Sequence, residues 1–230
     1  MDHSRYDKRN YPIVDVRAGY GEWVQTYEQI VQDEMDLRLL ERMQTIDWAQ
    51  PRQVLDLACG TGRIGTWIKK RCAADIDGVD VTLEMLEVAR RKNIYRVLKI
   101  ADVSDTGMPN AAYDLCTQSL ADEHLAELPP LYREAARVTK PGGYFVLVGY
   151  HPQFLMLGTP THYNRASGEP ITIQSYVHLL SDHFKAARMF GWALAEMDEG
   201  LIDKVWLQKK PKWEKYLGVP ISFLMVWRQE

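Results

Sequence analysis

The fold is decided by residues 54–65, which read VLDLACGTGRIG. The first five residues predict a short buried strand, and the glycine-rich turn after them predicts a helix that begins at about Arg63. Glycine permits a tight turn and lets a bound group approach the backbone closely. The pattern therefore predicts a strand–loop–helix unit with a binding loop, although GxGxxG alone is shared by more than one class of cofactor site.

Strand and helix signals alternate in the residues that follow this unit. Further strands are predicted at 77–81, 95–100, 113–118 and 144–149, and helices at 63–72, 83–92 and 128–138. Thr82 stands where it can cap the second helix, and Pro141-Gly142-Gly143 stops the third. This alternation predicts an α/β fold with a parallel, doubly wound sheet.

The flanking segments complete one expected domain over residues 1–230. Residues 1–49 predict an arm and a helical cap: the arm carries Tyr6, Tyr11 and Tyr20, and apolar residues recur at helical spacing from Trp23 to Ile46. Residues 50–150 form the predicted cofactor-binding core. Residues 151–230 predict a lid loop at 151–173, a helix at 174–190, and strands at 192–199 and 221–228, with a solvated lysine-rich loop at 209–215 between them.

Composition and charge exclude several classes of protein. The 230 residues carry a formal net charge of -3, which gives no reason to expect nucleic acid or an anionic membrane as a partner. Three cysteines without metal-ligand spacing predict no disulfide framework and no metal site, and they suit a reducing compartment. No signal-like or membrane-spanning apolar run is present, so we expect a cytoplasmic protein.

Asp56 bears on the choice of cofactor. It precedes Gly60 on the first core strand, and a carboxylate that points into the crevice would repel a pyrophosphate. The same charge favours a cationic ligand such as S-adenosylmethionine (SAM), which carries an ammonium and a sulfonium. This disfavours an NAD-dependent oxidoreductase. The alternative is that Asp56 only braces the loop through hydrogen bonds to the backbone.

Motifs over about residues 50–150 resemble those of class I SAM-dependent methyltransferases, particularly the enzymes related to ubiquinone and menaquinone biosynthesis. Residues 54–62 resemble the first motif, 78–86 the second and 101–103 the third, while 113–115 and 134–143 resemble the fourth and following motifs. Together these motifs are far more specific than the glycine loop alone. The resemblance implies a doubly wound, Rossmann-like sheet of about seven strands, mostly parallel and with the last strand antiparallel. It also implies SAM as methyl donor and S-adenosylhomocysteine as product.

The resemblance also implies roles for individual residues. The methionine end of SAM would be held by Asp56 and by the backbone of Ala58, Cys59, Gly60, Thr61 and Gly62; the ribose by Asp80, next to Val81; the adenine by Met85, Asp102 and the backbone N–H of Val103; and the pocket near the sulfonium would be lined by Ser119 and Leu120. A core-packing role for Met85 and a solvated or capping role for the acids at strand ends are the alternatives.

Methyl transfer needs an aligned acceptor, exclusion of water and, for an acceptor that keeps its proton, a general base. Candidates for that base are His151, His124, His162 and Tyr163, each of which has a structural role as its alternative. Relatives often carry a histidine near position 124 in a pattern like HHL, whereas this chain has Asp122 and Glu123 before it. The aromatic arm is expected either to close over the SAM site or to pack the first helix onto the sheet.

The leading hypothesis is therefore a methyltransferase that acts on a small-molecule acceptor enclosed by the lid. A protein or tRNA methyltransferase is a second hypothesis, which the near-neutral charge and the lack of an added recognition domain disfavour. A non-catalytic, SAM-binding regulatory protein is a third, because this family has no fixed catalytic residue.

Overall fold

The computed structural model of the chain describes residues 1–31 and 35–230. In chain order the strands are β1 (Ile13–Val14), β2 (Gln53–Leu57), β3 (Asp75–Asp80), β4 (Val97–Ile100), β5 (Tyr113–Ser119), β6 (Thr139–Tyr150), β7 (His162–Asn164), β8 (Pro170–Ile173), β9 (Trp192–Leu201) and β10 (Pro220–Gln229). The α-helices are α1 (Val16–Ile30), α2 (Leu37–Arg42), α3 (Arg63–Lys69), α4 (Leu83–Arg91), α5 (Pro129–Val138), α6 (Pro152–Met156), α7 (Leu180–Arg188) and α8 (Lys204–Lys209). Within the described ranges, no helix has the length and apolarity required to cross a bilayer.

The main sheet has seven strands in the order β4-β3-β2-β5-β6-β10-β9. β2 pairs in parallel with both β3 and β5, so the strand order changes direction at the glycine-rich loop that follows β2. β10 is antiparallel to both of its neighbours, whereas the pairs from β4 to β6 are parallel. The predicted doubly wound sheet of seven strands, with the last antiparallel, is confirmed.

Helices cover both faces of this sheet, which explains why its strands are apolar at successive positions. Side chains alternate between faces along a strand. On β10, Phe223 and Met225 join the buried cluster that includes α5 and α7, and Leu224 and Val226 join the cluster that includes α2 and α3. All four are at most 1% exposed, so the core is continuous through the sheet.

The single helix predicted from Trp23 to Ile46 is wrong. α1 already begins at Val16, where the Asp15 side chain accepts from the Ala18 N–H, and it ends at Ile30. Asp36 caps a second helix, since its side chain accepts from the Leu37 N–H. Residues 32–34 of the predicted helix lie outside the described residues. The Asp36 side chain that caps the second helix is short and polar, so the regular spacing of apolar residues does not reveal where that helix begins.

The predicted lid loop at 151–173 is also wrong, because the segment is folded. It contains α6 and the antiparallel pair β7–β8, and β8 pairs in parallel with β1 to form a separate three-stranded sheet. Ile171 and Ile173 pack with Trp23 of α1, so apolar burial and pairing with the N-terminal strand order the segment. The predicted helix at 174–190 accordingly begins only at Leu180.

Two further boundaries differ from the prediction. β6 starts at Thr139, so the predicted stop at Pro141-Gly142-Gly143 lies inside the strand, where its register against β5 shifts. The stretch predicted as a solvated loop, 209–215, begins at the last residue of α8 and continues in a 3-10 helix, Pro211–Tyr216. Trp206 of α8 is buried in one cluster with Phe154 and anchors this otherwise polar segment.

Candidate functional site

A cavity of about 470 Å³ opens at the carboxyl ends of β2, β3 and β5. This is where the strand order reverses and where open α/β sheets bind ligands. The core strands and the segments after them supply Ala58, Asp80, Val81, Thr82, Met85, Ala101, Asp102, Val103, Gln118, Ser119, Leu120, Ala121, His124 and Leu125, and the α1 region and the residue after β8 supply Asp15, Val16, Arg17, Tyr20, Tyr27 and Gln174. The α1 helix therefore forms a wall of the cavity opposite the sheet-derived residues.

The glycine-rich loop has a conformation that requires small residues. Gly60 and Gly62 have φ of +52° and +81°, and Ala58 has φ of +52°. Residues with a Cβ rarely adopt this left-handed backbone conformation. Gly62 stands at the N-cap of α3. Gly65 serves packing instead, because a Cβ there would overlap the Tyr95 hydroxyl. Of this loop and its helix start, Ala58 contributes to the cavity lining.

Asp56 lies below the loop rather than in the cavity. It is 1% exposed; one carboxylate oxygen accepts from the Tyr95 hydroxyl at 2.7 Å and the other from the Thr117 hydroxyl at 3.0 Å. Burial raises the pKa of Asp56 to about 6. The expectation that this carboxylate points into the crevice is therefore wrong, and so is the electrostatic argument built on it. Asp56 braces the loop, chiefly through side-chain partners rather than the backbone bonds considered from the sequence.

Asp80 is the acid that does line the cavity, at the end of β3. One of its oxygens accepts from the Gly60 N–H and the other from the Thr82 N–H, both at 2.8 Å. The side chain is mostly buried, and burial raises the pKa of Asp80 above its ordinary value. Thr82 takes the N-cap position of α4 as predicted, but its side chain makes no cap bond. Asp80 thus ties the glycine loop to the start of α4 and presents its remaining lone pairs to the cavity.

The other predicted contacts of the adenosine and sulfonium ends are brought together on the cavity wall. Met85 and Val103 are buried there, and the exposed Asp102 accepts from the Ser104 N–H at 2.8 Å. Ser119 donates its hydroxyl to Asp36 at 2.8 Å, and Leu120, with φ of +53°, follows it into the wall. Val81 also lines the cavity, whereas the structure places Cys59, Gly60, Thr61 and Gly62 outside the lining.

Of the four candidate bases, His124 faces the cavity. His151 caps α6, where Nδ1 accepts from the Gln153 N–H and Nε2 lies 2.9 Å from Glu199 Oε1. Burial lowers the pKa of His151. The structure puts this histidine in a structural position behind the wall rather than at the mouth.

The two candidates from the predicted lid also have structural partners away from the cavity. His162 lies between the Pro160 carbonyl and Arg9, at 2.9 and 2.8 Å. The Tyr163 hydroxyl donates to Glu22 at 2.8 Å, and its ring stacks on Trp23. Neither residue lines the cavity, because the segment folded as a hairpin against β1 instead of closing over the sheet.

Sequence reasoning missed Tyr27, Arg17 and Gln118 among the lining residues. Tyr20 and Tyr27 are separated by two helical turns, so they share one face of α1, which was the available signal. It also missed that the two acids before His124 are buried: burial raises the pKa of Asp122 and of Glu123 to about 7 each. Over residues 1–31 and 35–230, no group of three or more His, Cys, Asp or Glu side chains is placed to hold a metal ion.

Residues 55–147 match a family model described as a methyltransferase domain. The chain is 29% identical over 197 residues to the malonyl-[acyl-carrier protein] O-methyltransferase of Halorhodospira halophila, covering 83% of this chain and 62% of that protein. It is 34% identical over 107 residues to the demethylmenaquinone methyltransferase of Thermus thermophilus, covering 44% of this chain and 49% of that protein. The chain thus spans about half to three fifths of the length of these curated relatives.

The fold resembles a crystal structure described as an S-adenosylmethionine dependent methyltransferase from Mesorhizobium loti. The TM-score is 0.69 at 21% identity, over 85% of this chain and 98% of that one. At this identity the likeness concerns the fold, and it agrees with the order and direction of strands described above. Residues 55–147 of the chain thus match a methyltransferase domain in sequence, and the chain has the fold of a solved structure described as an S-adenosylmethionine dependent methyltransferase.

Proposed function

We propose that this protein binds SAM in the cavity at the ends of β2, β3 and β5 and transfers its methyl group to a small-molecule acceptor, releasing S-adenosylhomocysteine. The observation that carries the proposal is the convergence of Asp80, Met85 and Asp102 on one wall of that cavity. These residues come from separate motifs in the sequence, and the roles proposed for them, in binding the ribose and the adenine, require that they line one cavity.

The residues fit the chemistry of the nucleoside end. The Asp80 carboxylate is fixed by two backbone N–H groups and offers further lone pairs, so it can accept from both hydroxyls of a ribose. Met85 supplies a polarisable side chain for an adenine face, and Asp102 an acceptor for an exocyclic amino group. SAM supplies an electrophilic methyl on a sulfonium, and the chain's part is to align an acceptor with it.

A small acceptor is supported by the limited size of the cavity, about 470 Å³. Residues from outside the core sheet narrow it further, because Tyr20 and Tyr27 of α1 and Gln174 after β8 also line it. The relatives are named for acting on a malonyl group carried by a protein and on demethylmenaquinone, which are chemically different acceptors. We propose the coarser class that both share, an organic acceptor group small enough to enter beside SAM.

Isothermal calorimetry with SAM, S-adenosylhomocysteine and NAD in parallel tests the proposal. We expect the first two to bind with micromolar dissociation constants and NAD to give no heat of binding. Binding of NAD alone would refute the proposed function. If SAM binds but no methyl transfer is found across a panel of radiolabelled assays, the chain acts instead as a SAM-binding protein without catalysis.

A further inference from the structure

A hydrogen-bonded tyrosine–histidine pair lines the cavity on the side formed by α1. The Tyr20 hydroxyl lies 2.9 Å from His124 Nε2, and His124 Nδ1 lies 2.8 Å from the Gln174 carbonyl oxygen. A carbonyl oxygen can only accept, so Nδ1 carries the hydrogen and Nε2 is left as an acceptor. The Tyr20 hydroxyl therefore donates to Nε2, and its own lone pairs are available toward the cavity.

The surroundings of the pair suit a proton acceptor. Glu123 Oε1 lies 3.6 Å from His124 Nε2, and Glu123 is 1% exposed. When Glu123 is ionised, its carboxylate lies close enough to attract a proton that moves onto the pair. Burial also raises the pKa of the Tyr20 hydroxyl well above its usual range, so Tyr20 rests as a phenol that can pass a proton on.

The rings are held in place by aromatic packing. The Tyr20 ring stacks on Trp23 with a centroid separation of 5.8 Å and meets His124 edge-on at 5.3 Å. Trp23 in turn is 6% exposed and belongs to the cluster that joins α1 to β8. Removal of the hydroxyl alone thus leaves these ring contacts in place.

We propose that Tyr20 and His124 together deprotonate an aromatic hydroxyl on the acceptor, an inference that rests on the proposed methyl transfer. The acceptor's O–H bond breaks and its proton passes to the Tyr20 oxygen, while the Tyr20 proton passes to His124 Nε2. The oxygen forms a bond to the methyl carbon as the bond from that carbon to sulfur breaks, with the electron pair going to sulfur. His124 then carries an additional proton on Nε2. When this proton leaves to solvent, the Tyr20–His124 pair returns to its starting state.

The need for a base selects the class of acceptor. A carboxylic acid, with a pKa of about 4, is already ionised at neutral pH and needs no proton removal, whereas a phenol, with a pKa of about 10, does. The cavity lining also includes Leu120, Leu125 and Tyr27, whose apolar surfaces suit an aromatic ring. An O-methylated phenol is therefore the expected product.

The test uses 4-nitrophenol, whose phenolate is coloured, bound to the complex of the full chain with S-adenosylhomocysteine. At a fixed pH where the free probe is mainly protonated, binding to the wild type is expected to raise the ratio of phenolate to phenol. Tyr20→Phe and His124→Asn should abolish that rise. Tyr163→Phe is the matched control, since it removes a hydroxyl from the same aromatic cluster outside the cavity and should behave as the wild type.

Affinity for S-adenosylhomocysteine, measured by calorimetry in every variant, separates the possible failures. An affinity within about threefold of the wild type shows that a variant is folded and that its cofactor site is intact. Three outcomes with cofactor binding retained overturn the Tyr20–His124 assignment and leave the proposed function standing. The probe does not bind, its ionisation does not change on binding, or its ionisation is the same in all variants. If the wild type does not bind S-adenosylhomocysteine, the proposed function is refuted, and this inference with it. With a phenolic acceptor that turns over, either substitution should lower the rate by about 10²- to 10⁴-fold.

Discussion

Replacing Asp80 by alanine tests the cofactor site most directly, because this carboxylate both shapes the glycine loop and faces the cavity. In the structure its oxygens hold the N–H groups of Gly60 and Thr82 at 2.8 Å. The proposed ribose hydroxyls would donate to the same oxygens. The substitution removes all four interactions, so it has one effect on stability and a separate effect on SAM affinity.

The two effects have different sizes. A hydrogen bond to a charged group contributes about 1.5–3 kcal/mol, so loss of both ribose bonds costs at least about 3 kcal/mol of binding free energy. That corresponds to a loss of affinity of more than about 100-fold. The stability effect is smaller, about 1–2 kcal/mol, because the lost bonds to the backbone are partly offset by relief of a buried carboxylate.

Calorimetric titration with S-adenosylhomocysteine measures the affinity, and urea unfolding measures the stability. Asp77→Asn is the matched control: Asp77 lies on the same strand, is 2% exposed and accepts from Arg96 and Tyr113, away from the cavity. We expect this control to lower stability and leave affinity unchanged. If the folded Asp80→Ala protein binds within twofold of the wild type, Asp80 does not hold the ribose and the site assignment is wrong.

Three other predictions concern residues behind the cavity wall. Gly65→Ala should lower the free energy of unfolding by about 1–3 kcal/mol, measured in urea, because the added Cβ overlaps Tyr95; an unchanged midpoint would contradict the packing described. Burial raises the pKa of Asp122 to about 7, against about 3.9 in the unfolded chain, so the native state binds this proton more tightly. The stability of the wild type therefore falls as the pH rises from about 4 to 7, and Asp122→Asn should flatten this pH dependence. A parallel slope in the variant would show that Asp122 is not the cause. His151→Ala removes the N-cap of α6 and should lower the free energy of unfolding by about 1 kcal/mol. SAM affinity, measured by calorimetry, should not change; a large loss of affinity would show that His151 belongs to the cofactor site.

The sequence predicted the acids at the strand ends better than the acid within a strand. Asp80 is the last residue of β3 and Asp102 follows β4, and the carboxyl ends of parallel strands necessarily meet at one edge of the sheet. Asp56 lies inside β2, where side chains alternate between the two faces. Its register opposite Thr117 of β5 turns it toward Tyr95 below the loop, and that register is a property of strand pairing, not of the motif.

The candidate base illustrates the same limit. Each of the four candidate bases followed a strand or lay in the predicted lid, and His151 was favoured for its position directly after a strand, so the sequence did not single out His124. Which of them faces the cavity depended on where the segment 151–173 packs, and it packs against β1 rather than over the sheet. The histidine that faces the cavity is identified by its partner Tyr20, which lies 104 residues away in the chain.

The sequence by itself determined the local elements of the core and the class of fold, because hydrophobic period, glycine placement and strand-end acids are encoded over short stretches. The tertiary structure alone decided which side chains share the cavity. α1, the segment after β5 and the residue after β8 meet there through packing and strand pairing between distant parts of the chain, and such contacts leave no spacing signal in the sequence.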